Sequence, residues 1–298
     1  MSNIFTLSNC PVCNNNTFTD FLEVKDWLVS KEPYQIKECN SCGFRFTQDA
    51  PSQEHIAPYY NSEEYVEHSD TKSGLIYSLY HQARKKMLQY KLNKIKKLTD
   101  DKALLDIGSG SGYFLNHMKQ NGYDVTGVEI SDKAVALCKS KFGIDANHPS
   151  KFLGKELKGP FDIITLWHVF EHVYTYDEYF ALFDEYLTKD GHLVVALPNC
   201  NSTDASFYKE HWAAYDVPRH LWHFTPDTFE KFASRRGFQL IKKHRLPLDS
   251  FFISMVSASY KSSFTFLPFT LAVGFASWFI SLFDINRSSS LIYVLKKK

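Results

Sequence analysis

From residue 103 onward, short apolar runs alternate with longer amphipathic stretches. ALLDI (103–107), VTGVE (125–129), FDIITL (161–166), HLVVAL (192–197), FQLIKKH (238–244) and the closing SSSLIYVLKKK read as strands, with a further strand near 143–146. Helices are predicted between them over 113–120, 132–142, 177–187 and 226–236. Continuous apolar runs separated by helices describe strands buried on both faces of a mostly parallel sheet. The expected fold class is therefore α/β, a doubly wound seven-stranded sheet.

Upstream, Leu75, Leu79, Ala83, Met87 and Tyr90 recur at helical spacing and predict a helix over 74–98. Its lysine-rich opposite face reads as a solvated surface. The stretch 49–70 carries two prolines among mixed polar residues and reads as a linker. The expected organisation is a small module at 1–48, a linker and helix at 49–100, and an α/β domain at 101–298 interrupted by an apolar insertion at 247–287.

Composition narrows the chemistry. The chain of 298 residues has 34 basic and 33 acidic residues, a formal net charge of +1. Nucleic-acid binding leans on phosphate neutralisation, so nucleic acid is not an expected partner. The first residues lack a basic segment followed by an apolar one, so a cytoplasmic location is expected, where thiols stay reduced.

The first candidate chemistry is therefore metal ligation. Cys10, Cys13, Cys39 and Cys42 form two C-x2-C pairs separated by 25 residues. Each pair offers two thiolates to one ion, and four thiolates close a tetrahedral Zn²⁺ sphere, as in a structural zinc ribbon. Cys138 and Cys200 read as ordinary buried residues.

The second is a glycine loop. ALLDI runs into Gly108, Gly110 and Gly112, then into a helix. Glycines allow a tight turn and a close approach of backbone to ligand. The dinucleotide pattern G-x-G-x-x-G fails in both registers, because Tyr113 or Leu115 stands where the third glycine belongs. What stands here is Asp106-x-Gly-x-Gly-x-Gly. A carboxylate there repels a pyrophosphate and suits a cationic amino-acid ligand.

This loop resembles the first motif of the class I S-adenosylmethionine-dependent methyltransferases. The resemblance implies a Rossmann-like methyltransferase fold with S-adenosylmethionine as cofactor. Gly108, Ser109, Gly110, Gly112 and Tyr113 would shape the loop, and Asp106 would organise the amino-acid end. Glu129, in Gly-Val-Glu-Ile-Ser, would accept the ribose hydroxyls, with Ile130 beside it. Trp167 and His168, at the end of FDIITLWHVFEHV, would lie next to the cofactor. Glu171 and His172 would face the acceptor or hold the loop, and a purely structural role for His172 stays open.

The loop after 192–197 is rich in aromatics and histidines. His220 is a candidate general base near neutral pH. Thr225 and Pro226 form an N-cap and first helical position. His220, Leu221 and Phe224 are similar to a segment of the zinc-containing sugar C-methyltransferases. Arg219 and Val217 depart from it. Quinone-type O-methyltransferases share a looser version of the loop. The acceptor implied is a small molecule or a lipid-linked one, methylated on oxygen or carbon. RNA or protein as acceptor, a nicotinamide-dependent oxidoreductase and a non-catalytic zinc-ribbon module are the competing readings.

Residues 262–283 contain no charge and are long enough to span a bilayer core. The flanking runs 238–244 and 290–296 would be adjacent strands of one sheet, which excludes a single crossing. Three readings stand: a lid over an apolar pocket, a peripheral membrane contact through 251–283 at the inner face of the membrane, or a homodimer interface.

Overall fold

Leucine, isoleucine and valine buried on both faces build the centre of the molecule. The computed structural model describes residues 3–60, 75–261 and 267–298. The later part of the expected linker (61–70), the expected helix start at 74 and residues 262–266 of the insertion lie outside them.

The N-terminal region holds β1 (Ile4–Phe5), β2 (Phe18–Lys25), β3 (Pro33–Cys39), β4 (Arg45–Thr47) and β5 (Ala50–Pro51), followed by the long helix α1 (Leu75–Ile95). The alternating part then runs β6 (Ala103–Ile107), α2 (Tyr113–Gln120), β7 (Asp124–Val128), α3 (Asp132–Phe142), β8 (Ala146–Asn147), α4 (Pro149–Leu153), β9 (Phe161–Trp167), α5 (Tyr176–Tyr186) and β10 (Leu187–Pro198). After it come α6 (Thr203–Tyr208), β11 (Trp222–His223), α7 (Pro226–Ser234), β12 (Phe238–Arg245), α8 (Asp249–Lys261), α9 (Leu267–Phe283) and β13 (Ser290–Lys297).

The main sheet has seven strands in the order β12-β13-β10-β9-β6-β7-β8. Only β13 runs antiparallel to its neighbours, slotting between β10 and β12. The fold is the doubly wound, Rossmann-like one expected from the alternation. The order reverses at β6, so the loops after β6 and β9 open at a topological switch point, where such sheets bind ligands.

Local signals account for the helix starts. Ser131 caps α3 through a bond from Ala134 N, and Gly143 closes that helix in the left-handed region. Thr225 and Thr228 form a reciprocal capping box ahead of α7, with Pro226 at its first position. The expected third strand is only the two residues of β8.

Two features differ from the sequence expectation. In α1 the expected Met87 and Tyr90 do pack, half-buried, against the core, but the fully buried contacts are Leu92 and Ile95. The lysine face is also not wholly solvated, because Lys91 Nζ lies 4.1 Å from the centre of the Trp167 ring. The second difference concerns the N-terminal region, which is built into the rest of the molecule. β11, from the loop after β10, completes the sheet β11-β4-β3-β2. Thr47 Oγ1 donates to the His220 carbonyl (2.7 Å), and Thr47 N donates to Leu221 O (2.9 Å).

A buried ion pair fastens the same junction. Arg219 is 1% exposed and donates to Asp26 (2.9 Å), to both carboxylate oxygens of Asp216 and to the Tyr59 carbonyl. Asp26 in turn accepts the backbone N–H groups of Leu28, Val29 and Ser30. Removing one partner of a buried pair leaves an uncompensated charge. Arg219→Leu should therefore lower folding stability by roughly 3–5 kcal/mol, read as a lower urea midpoint at an unchanged slope.

Candidate active site

The loop between β6 and α2 is held by the end of β7. Gly108 N and Ser109 N both donate to the Val128 carbonyl (2.8 and 3.0 Å), and Gly110 N donates to Glu129 Oε2 (2.7 Å). Glu129 Oε1 accepts from Ser131 N (2.9 Å). The Glu129 carboxylate thus faces the loop. Gly108 and Gly112 have φ of 73° and 79°. A Cβ would meet Val169 Cγ2 at 2.2 Å from Gly108 and Cys138 Sγ at 2.2 Å from Gly112. No other residue fits there. A Cβ at Gly110 would meet nothing within 4 Å, so the middle of the loop faces open space.

Asp106 is buried and accepts from Thr165 Oγ1 (2.6 Å). Burial pushes its pKa up, against the pull of Thr165 and of the Lys91 ammonium. Burial pulls the pKa of Lys91 down. Ser109 Oγ and Trp167 Nε1 are buried donors without a hydrogen-bond partner among the described residues. A buried carboxylate beside two orphaned donors is the set that a zwitterionic amino-acid group satisfies. Trp167 packs edge-on to Phe114 (5.2 Å between centroids). Tyr113 lies against Phe142, with the Arg84 guanidinium 4.1 Å from its ring centre. Ile130 is 72% exposed just beyond Glu129.

Beside this loop, after β9, sits an acid–histidine cluster. Glu171 is fully buried, and among the described residues neither of its carboxylate oxygens has a hydrogen-bond partner. Its Oε1 lies 3.4 Å from His168 Nδ1 and 4.0 Å from His220 Nε2, ion-pair separations without hydrogen-bond geometry. These positive or ionisable neighbours hold the carboxyl below its usual range despite burial. His168 Nε2 meets Asp249 Oδ2 at 3.1 Å. Burial disfavours the charge on His168, but the two carboxylates outweigh it and raise its pKa to about 9. His172 goes the other way: burial, then the nearby His220, push it down to about 4.

Tautomers follow from carbonyl partners. His220 Nδ1 lies 2.9 Å from Ala214 O, so it carries a proton, and Nε2 is turned toward the Glu171 and Asp216 carboxylates. His172 Nδ1 is 3.1 Å from Arg219 O and 3.0 Å from Tyr60 Oη, which fixes the same tautomer. One ligand atom from each of Glu171, His172 and His220 lies within 4.8 Å of the others.

The four N-terminal sulfurs also meet within 4.8 Å of one another. Cys10 Sγ–Cys42 Sγ and Cys13 Sγ–Cys39 Sγ are both 3.5 Å, too long for disulfides. Tetrahedral ligation at a Zn–S distance of about 2.3 Å puts sulfurs about 3.8 Å apart, so the set fits such an ion.

Lys91, Asp249, Tyr60 and Asp26 escaped the sequence reading. Lys91 was hidden in a basic helix face and Asp249 at the border of an apolar insertion. Nothing local distinguishes Tyr60 or Asp26, whose partners are distant in the chain.

A family model described as a methyltransferase domain matches residues 79–243. The ubiquinone biosynthesis O-methyltransferase of Bordetella avium is 32% identical over 76 residues, covering 24% of this chain and 32% of that protein. A protein of the same name from Aromatoleum aromaticum is 35% identical over 78 residues, covering 24% and 33%. The chain spans about a third of the length of these curated relatives. Among solved structures, magnesium protoporphyrin IX methyltransferase from Synechocystis PCC 6803 with bound SAH aligns at a TM-score of 0.53 and 11% identity, covering 83% of this chain and 100% of that one. That likeness is one of fold.

The His168 ion pairs give a measurable pH signature. Its folded pKa of about 9 lies above the ordinary 6.5. Its contribution to stability is therefore fully present below pH 6.5 and is lost as pH rises through 9. Asp249→Asn should move the His168 titration toward the ordinary value, as followed by imidazole NMR.

Proposed function

We propose a reaction for this chain, which belongs to the methyltransferase-domain family: transfer of a methyl group from S-adenosylmethionine to a hydroxyl oxygen of a small-molecule or lipid-linked acceptor. The observation that carries this reading is the adjacency of two sites at one edge of the sheet. One is a glycine loop with a buried carboxylate and orphaned donors. The other is a buried carboxylate at ion-pair distance from His168 and His220. Two curated relatives are named as O-methyltransferases, which supports oxygen as the accepting atom.

When bound, S-adenosylmethionine supplies a methyl group made electrophilic by its sulfonium centre. The chain contributes chiefly position, a large share of catalysis when two reactants must meet in line. Asp106 suits the α-ammonium, and Ser109 and Trp167 suit the α-carboxylate. Glu129 keeps lone pairs for ribose hydroxyls after its two backbone bonds. Ile130 offers an apolar surface for the base. Gly108, Gly110 and Gly112 let the backbone approach, and Tyr113 walls the loop.

His220 is the group suited to take the hydroxyl proton. Its Nδ1 is committed to a carbonyl, its Nε2 is the nitrogen that accepts the proton, and the Glu171 carboxylate 4.0 Å away stabilises the imidazolium that results. His172 stays neutral and braces the loop through the Arg219 carbonyl. His168 carries positive charge and holds Glu171 ionised.

Zinc on Cys10, Cys13, Cys39 and Cys42 completes the reading. Four thiolates leave no open position, so the ion is structural. It staples the sheet whose Thr47 holds the His220 carbonyl.

Asp106→Ala and Glu129→Ala should each weaken S-adenosylmethionine binding at least tenfold by calorimetry, a loss of about 1.4 kcal/mol or more. Unchanged affinity in both variants sinks the cofactor assignment. His220→Ala should lower turnover on phenolic acceptors by about 10²–10⁴ with little change in cofactor affinity. Metal analysis should find one zinc per chain. Cys39→Ser should lose it and lower the melting temperature.

A further inference from the structure

α9 is built inside out. Large apolar side chains normally turn inward, yet among the described residues the buried positions of this helix are Thr270, Val273, Gly274, Ser277 and Ser281, with valine the largest apolar one among them. Ser277 Oγ donates to the buried Asp204 carboxylate (2.7 Å). A Cβ at Gly274 would come 3.0 Å from Phe251 Cα, so the small residues let α9 lie tightly on α8. Phe269, Leu271, Phe275, Phe279, Leu282 and Phe283 point outward, between 41% and 79% exposed. Phe275, Phe279 and Phe283 form one ridge, with ring centroids 6.0 and 5.2 Å apart. A contiguous apolar surface of this kind marks an interaction site.

Charge identifies the partner. Around α9 the chain places Lys243, Arg245, Lys261 and Arg287 against two acidic residues, Asp249 and Asp284, the latter accepting from Asn286 N. Asp249 is turned in to His168. At one end of α9, Lys261 lies over Phe207, whose ring packs against Phe269. At the other end, Arg245 donates to Ser281 Oγ (3.4 Å), and exposed Arg287 follows the helix. An apolar face with basic ends matches an anionic lipid interface. Because both ends are basic, symmetric pairing of two copies across this face sets like charges together in either orientation. β12 and β13 pair antiparallel and return both ends of the insertion to one side. Among the described residues no helix is long and apolar enough to cross a membrane.

We propose that the outer face of α9 docks, in the plane of the interface, on a bilayer rich in anionic phospholipid. This stands apart from the methyl-transfer reading. The test is flotation of the full chain with vesicles of neutral phosphatidylcholine or of phosphatidylcholine with 30% phosphatidylglycerol. The partition should be at least tenfold stronger to the anionic vesicles and should fall with salt. Phe275→Glu/Phe279→Glu/Phe283→Glu should lose at least tenfold of that binding, with melting temperature and S-adenosylmethionine affinity unchanged. Lys261→Glu/Arg287→Glu should lose the preference for anionic vesicles. Failure of the unmodified chain to float, or equal binding by the triple variant, overturns the proposal. So does a dimer in light scattering that the triple variant dissolves without any vesicle binding.

Discussion

A guanidinium held out of water between two carboxylates is the contact on which the arrangement of this molecule depends. Arg219 and Asp26 are both essentially fully buried. Isolated charges are costly in such a place, and the pair persists because Asp216, the Tyr59 carbonyl and three backbone N–H groups complete the hydrogen bonding. The consequence is positional. Asp26 belongs to the cysteine module, Arg219 immediately precedes His220, and Tyr59 directly precedes the tyrosine that meets His172. One interaction therefore ties the N-terminal module, the linker and the loop of the candidate base into a single rigid junction.

The charge pattern beside that junction has one logic. Glu171 is a fully buried carboxylate that, among the described residues, accepts no hydrogen bond on either oxygen. It stays ionised because His168 is cationic, and His168 is cationic because Asp249 shares it. His172, lacking such a carboxylate partner in hydrogen-bond contact, is neutral. His168 and His172 are thus differentiated by their neighbours, and His220 Nε2 stands 4.0 Å from a fixed negative charge. His168 also takes φ of 57°, uncommon for a side chain with a Cβ, and two ion pairs hold it there.

Local pattern carried most of the fold. The runs at 103–107, 132–142 and 113–120 match β6, α3 and α2 residue for residue, because burial on both faces and strong turn residues mark their ends. The antiparallel slot of β13 was also legible, from apolar runs flanking an insertion. The sheet shared by β4 and β11 was not, since two-residue strands leave no periodicity and the partners are about 176 residues apart. At the site, the glycine loop, Glu129 and the Glu-His pair were readable as motifs. Lys91, Tyr60 and Asp249 were not, because what distinguishes them is a contact across the fold rather than a neighbour in the chain.

The loop after β10 is where these separate devices meet. Through β11 it joins the cysteine module. Through His220 it reaches Glu171. Through Ala213 N, which donates to Ser257 Oγ at 2.8 Å, it grips α8. Through Asp204, which accepts from Ser277, Ser289 and Trp212, it grips α9 and the approach to β13. α8 itself begins with Asp249, the carboxylate that sets the charge of His168. The exposed apolar helix and the buried acid–histidine cluster are therefore linked by short, buried polar contacts. A load on the outer face of α9 is borne by the same loop that places the candidate base. Polar anchors of this kind have discrete geometries where an apolar contact would slide, and Ser277 supplies one on the inner face of α9 beside the buried Val273.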